Sequence, residues 1–250
     1  MFDDPAFAAM FTWPTLAILW AGAFIGGIAS GAAGFAFAVV ASSIWLHVID
    51  PLTATFVIVS CGTVLQTALI WPMRKSINVS RLWPFLAGCV VGIPLGVYLL
   101  TRTDPATVKV WLGWFLMAFG AYSIVAPPLA VVKWGGRFAD AAIGLIGGLM
   151  GGMGGYSGVI PTIWTQIRGW KKETARAVYQ PFIVFAHIGV LLTIGMAAFD
   201  ARLALLALVI FPAIVAGAAV GWKIYGKLDE RRFRQMLALL LVISGAALVF

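Results

Sequence analysis

Residues 146–164 read IGGLMGGMGGYSGVIPTIW, with Gly147, Gly148, Gly151, Gly152, Gly154 and Gly155 crowded into ten positions. The flanking sequence is strongly apolar, so the stretch belongs to a membrane-embedded segment. Glycine in a helix interior costs ~1 kcal/mol relative to alanine. Two arrangements make use of that weakness. One is close helix packing of the small-xxx-small type. The other is a helix broken inside the membrane, which requires surrounding protein or an aqueous cavity. These glycines lie closer together than every fourth residue, and Pro161 suits the first turn of a following helix. Both features favour the break.

The rest of the chain supplies the membrane context. Of 250 residues, 62% are hydrophobic and 10% charged, with mean hydropathy +1.01; soluble domains carry roughly 25% charged residues. Apolar segments fall near 15–46, 52–72, 82–100, 108–126, 140–167, 177–199, 202–222 and 235–250. A spanning helix needs ~20 such residues, and no ten-residue alternation suggests a β-barrel. The expectation is an all-α polytopic membrane protein. The opening MFDDPAFAAM lacks a basic n-region, so no cleavable signal is expected. The net charge of +8 lies in short connectors, where membrane proteins collect Lys and Arg; no nucleic-acid partner is expected. Cys61 and Cys89 sit in apolar runs and read as packing residues. No metal site, cofactor or enzyme motif such as HExxH or GxSxG is present.

The two halves repeat. When Gly26-Gly27 is laid on Gly147-Gly148, Gly31 meets Gly152, Gly34 meets Gly155 and Phe35 meets Tyr156. Thr53-Ala54 then meets Thr174-Ala175, and Gln66 falls on His187. After a short slip, Gly92-x-x-x-Gly96 meets Gly217-x-x-x-Gly221 and Gly120-Ala121 meets Gly245-Ala246. The expected organisation is two tandem repeats of about four hydrophobic segments each, 1–126 and 140–250, joined by a loop at 127–139.

Charge argues that the repeats are inverted. If all eight segments cross once, the cations divide eleven to six. If each glycine segment enters and returns on one side, Arg102, Lys109 and Arg202 face the other fourteen. The second division obeys the positive-inside rule far better. A single helix over 15–46 would also be about 48 Å long at 1.5 Å per residue, too long for a ~30 Å core. Glycine-broken or re-entrant first segments are therefore expected, with both termini facing outward.

Broken helices present N-termini that bind anions through backbone N–H groups. The candidate substrate-binding residues are Ser30, Gly31, Gly34 and Phe35 in the first glycine segment, and Gly152, Gly154, Gly155, Tyr156 and Ser157 in the second. Thr63 and Gln66 join them from one neighbouring segment, and Arg176, Gln180 and His187 from its repeat twin. All nine carboxylates lie at segment ends or in loops, which argues for an anionic substrate and against a buried carboxylate relay. His187 is the ionisable side chain nearest the middle of a span; with an ordinary pKa of ~6.5 it is suited to binding an anion or a coupled proton. A structural role between helices is the alternative.

The two glycine-rich openings, GAFIGGIASGAAGF and GLIGGLMGGMGGYSGVIP, resemble those of the TauE/SafE sulfite-exporter superfamily, also called toluene-sulfonate uptake permeases. The resemblance covers essentially the whole chain. It implies a secondary transporter in the bacterial inner membrane that exports small anions such as sulfite, sulfoacetate or other organosulfonates by alternating access. Ala32-Ala33 depart from the expected glycine run, which sets the first half-site apart from the second. A passive anion channel and a transporter of simple carboxylates remain alternatives, and a homo-oligomer is open.

Overall fold

The computed structural model describes residues 10–125, 132, 134–198, 201–225 and 230–250. Part of the expected connecting loop, 127–131 and 133, lies outside them, as do residue 126 and Lys227. The described residues form α-helices and one 310 turn, without strands: an all-α polytopic membrane protein. The first half contributes α1 (Trp13–Ala33), α2 (Phe37–Trp45), α3 (Pro51–Ile70), the 310 turn Trp71–Ser76, α4 (Val79–Arg102) and α5 (Pro105–Val125). The second contributes α6 (Gly136–Gly154), α7 (Val159–Ile167), α8 (Lys172–Ala198), α9 (Ala201–Tyr225) and α10 (Glu230–Val249). Five of these, α1, α3, α4, α8 and α9, contain stretches long and apolar enough to cross a bilayer.

Local chemistry sets several boundaries. Asp50 accepts from the amides of Leu52 and Thr53, both at 3.0 Å, and Pro51 opens α3 where its missing N–H costs nothing. Asn78 and Asp104 cap α4 and α5 in the same way. The glycine segments end differently. α1 stops at Gly34 and α6 at Gly155, both left-handed at φ 83° and 79°. That conformation costs a Cβ-bearing residue ~1–2 kcal/mol, so each break is written into its glycine.

After each break the chain comes back. Trp45 at the end of α2 donates through Nε1 to the Leu19 carbonyl (3.0 Å), and Phe37 at its start lies beside Gly26. In the second half Trp164 donates to the Asp140 carboxylate (2.7 Å), and the Val132 amide bonds the Ile167 carbonyl (3.0 Å). α2 therefore runs back along α1, and α7 along α6. Each glycine segment is a helical hairpin that enters and leaves at one end, and the described residues of each half form five helices where four apolar segments were expected.

The halves interlock by exchanging helices. Gly27 and Gly31 of α1 rest on the backbone of Ile214 and Ala218 in α9, while Gly217 and Gly221 rest on Phe24 and Ile28. Gly88, Gly92 and Gly96 of α4 ride on Ala141, Leu145 and Leu149 of α6, answered by Gly144, Gly148 and Gly152. Residue numbers rise together in both pairs, so the partners are parallel. α5 and α10, the last helix of each half, run oppositely: Gly113 meets Gly245 and Leu248, and Gly120 meets Ala238 and Val242. Lipid offers no hydrophobic drive between helices, so this close approach supplies dispersion and backbone contact instead. Tracing the helices end to end puts Arg102 and Arg202 at one end of the bundle. Arg74, Lys75, Arg81, Arg137, Arg168, Lys171 and Lys223 stand at the other.

These crossings are sensitive to single carbons. A side chain at Gly92 would drive into the Leu145 carbonyl, whereas one at Gly189 meets only the movable Cδ1 of Ile93. Overpacking costs typically ~1–3 kcal/mol. In detergent, Gly92→Val is expected to lower the melting temperature by several degrees or prevent recovery of folded protein; Gly189→Ala is expected to cost much less.

Candidate functional site at the crossing of two hairpin tips

Both tips end inside protein, against the antiparallel pair α3 and α8. Broken helices leave carbonyls without intrahelical partners, and at membrane depth these need protein donors. Two side chains, one from each half, supply them. Gln66 of α3 donates from Nε2 to the Gly34 carbonyl (2.7 Å), and His187 of α8 donates from Nε2 to the Gly155 carbonyl (3.2 Å). Tyr179 adds a hydroxyl bond to the Ala33 carbonyl (3.2 Å) and meets Phe35 edge to face, with centroids 6.3 Å apart. Each tip is thus tied to the helix that crosses beside it.

The surroundings of the tips differ. A Cβ built on Gly34 would lie 2.9 Å from Arg176 Nη2 and 2.9 Å from Gln180 Nε2. The same atom on Gly155 would meet carbon, at Ile58 Cγ2 (2.7 Å), Val59 Cγ1 (3.3 Å) and Ala38 Cβ (3.7 Å). Arg176 is only 4% exposed and also stands over the Trp222 ring, 6.0 Å from its centroid. Gln180 is fully buried, and neither of its side-chain atoms has a hydrogen-bond partner. Gln66 Oε1, Ser157 Oγ, Thr162 Oγ1 and His187 Nδ1 share that condition.

An unsatisfied buried polar atom costs ~1–3 kcal/mol, and such atoms in a native core call for an explanation. Other buried hydroxyls of this chain are satisfied by their own helix: Ser42 bonds the Val39 carbonyl, Thr55 that of Pro51 and Thr165 that of Thr162. The unpartnered set is therefore selective. α2 and α7 also begin without side-chain caps, at Ala36 and Gly158. Their first N–H groups present the positive end of a nine-residue helix toward the bundle interior. Four carboxylates stand elsewhere: Asp50 and Asp104 cap helices, Asp140 bonds Trp164, and Glu173 is exposed. Buried donors beside a guanidinium suit an anion.

The candidate residues sort into three groups. Gly34, Phe35, Gln66, Arg176 and Gln180 converge on the first tip, with Ser30 Oγ 3.5 Å from Gln66 Nε2. Gly154, Gly155, Tyr156 and His187 form the second, where Tyr156 lies against Gly154 and hydrogen-bonds the Ser42 side chain. Gly31 and Gly152 sit in helix crossings, Thr63 bonds the Val59 carbonyl (2.6 Å), and Ser157 lies against Gly151. Tyr179, Thr162 and Trp222 were not read from sequence. Tyr179 was the most accessible of them, adjoining Gln180 and one turn past Arg176. Cys61 and Cys89 are free and buried, as packing residues should be.

The sulfite exporter TauE/SafE family matches residues 19–248. The chain belongs to that family. No curated protein and no solved structure matches it. TauE/SafE proteins are exporters and not an enzyme family, so the chain is a multi-pass membrane transporter for sulfur-containing anions. Replacing Gly155 tests the tip itself. Gly155→Ala forces a Cβ into left-handed backbone and against Ile58. It is expected to lower the melting temperature by several degrees, at ~1–2 kcal/mol of strain, with a larger loss in Gly155→Val.

Proposed function

We propose that this TauE/SafE protein exports sulfite or the sulfonate head of a small organosulfonate by alternating access, holding the anion at the first hairpin tip. The observation that carries this is Gln180: a fully buried amide without partners, 2.9 Å from the Cβ position of Gly34, beside Arg176 and the uncapped start of α2. An amide N–H pair, a guanidinium and helix-terminal N–H groups match the oxygens of a small oxyanion. The same donors would accept a carboxylate; family membership favours the sulfur anion.

Inverted repeats meeting at such a site are the architecture on which one half rocks against the other. The antiparallel crossing of the twins α5 and α10 supports the inversion. Burial of the polar centre favours a transporter over a passive channel, since Gln66, Gln180 and His187 are at most 3% exposed. The cation-rich end is assigned to the cytoplasm, which puts Trp13 and Phe250 toward the outside.

A residue kept for binding at a cost in stability has a recognisable signature. Gln180→Leu removes two unsatisfied buried atoms, at ~1–3 kcal/mol each, so it is expected to melt no lower than wild type. Hydrogen bonds to charged groups contribute ~1.5–3 kcal/mol, so sulfite efflux from proteoliposomes is expected to fall roughly tenfold or more. Unchanged efflux in a stable Gln180→Leu protein would contradict the assigned site.

A further inference from the structure

We infer that the two hairpin tips, although built as twins, hold one oxyanion and not two, and that Gln66 and His187 are straps that position the tips and do not bind substrate. The inference rests on the transport reading above and goes further by separating ligand residues from positioning residues. Laying the halves on each other pairs Gly34 with Gly155, Gln66 with His187, Thr55 with Arg176, and Val59 with Gln180. The first two pairs do the same work in both halves: a left-handed glycine ends the helix, and an amide or imidazole N–H takes its carbonyl. The last two pairs differ. Around Gly34 they supply a guanidinium and a carboxamide. In the other half Val59 gives carbon against Gly155, and the Thr55 hydroxyl is already bonded to the Pro51 carbonyl (2.7 Å).

Hydrogen-bond polarity then excludes the straps as anion ligands. A carbonyl only accepts, so the Gly155 bond requires the proton on His187 Nε2, and the neutral ring is left with a lone pair on Nδ1. That lone pair faces the Gly62 position, where a Cβ would lie 2.9 Å away. Gln66 commits one Nε2 hydrogen to the Gly34 carbonyl and the other to Ser30 Oγ (3.5 Å), leaving only its acceptor, Oε1, unpartnered. Neither side chain offers an anion a donor in this arrangement. At the first tip, Gln180 Nε2 offers two hydrogens beside Arg176, next to the start of α2. The second tip retains its helix start, but carbon surrounds its glycine.

Symmetry supplies the test, because each variant gives one half the residue its twin carries. Calorimetric titration of the purified full-length protein with sulfite is expected to give one site per chain. Gln180→Val is expected to weaken binding at least roughly tenfold, while His187→Gln, which copies Gln66, is expected to bind within about threefold of wild type. His187→Ala, which leaves the Gly155 carbonyl without a donor, is expected to lower the melting temperature, and His187→Gln to restore it. Two sites per chain, or a folded His187→Gln protein that has lost binding, would overturn the inference while leaving the transport reading standing. Should His187→Gln fail to fold, site number and Gln180→Val still decide. Wild-type protein that binds no sulfite would overturn both.

Discussion

A polypeptide that breaks its helices inside a bilayer must find protein partners for the backbone groups it exposes. The rest of this structure depends on how that is done at Gly34 and Gly155. Each turn is made by a left-handed glycine, and its carbonyl is met by the side chain of the crossing helix, Gln66 or His187. Those bonds bring four elements together: two hairpin tips and the antiparallel helices α3 and α8. They also settle where α2 and α7 begin, and so where their positive ends point.

The glycines divide between two tasks that sequence composition does not separate. Gly27, Gly31, Gly88, Gly92, Gly96, Gly144, Gly148 and Gly152 are ridges at four-residue spacing on which a neighbouring backbone lies. Gly34 and Gly155 are turns. In IGGLMGGMGGYSGVIPTIW the two kinds interleave, which is why the stretch is so dense. The packing glycines lock each hairpin to the opposite repeat, α1 on α9 and α6 on α4, leaving the tips to meet between them.

Much of this was legible before any coordinates. Hydropathy marked the spans, the duplicated motifs paired the halves, and the length of segment 15–46 argued for a fold-back. Polar residues at helical spacing in apolar runs marked Gln66, Gln180 and His187 as neighbours of the broken segments, with Arg176 at the start of the same helix. What could not be read was which donor meets which carbonyl, because each carbonyl is exposed only by the tertiary break. For the same reason His187 looked like a proton or substrate ligand, although its Nε2 is engaged by Gly155. Gly31 and Gly152 looked like site residues because a close helix crossing and a ligand-lined turn both call for the smallest residue.

The central claim is that two hairpins enter the membrane from opposite sides and end against each other. Accessibility to a membrane-impermeant thiol reagent tests it directly, since the native Cys61 and Cys89 are buried. Thr12→Cys and His47→Cys flank the first hairpin; Arg137→Cys and Lys171→Cys flank the second, and all four positions are exposed. The account predicts that the first pair is labelled from one face of the membrane and the second pair from the other. Labelling of Thr12→Cys and His47→Cys from opposite faces would contradict it.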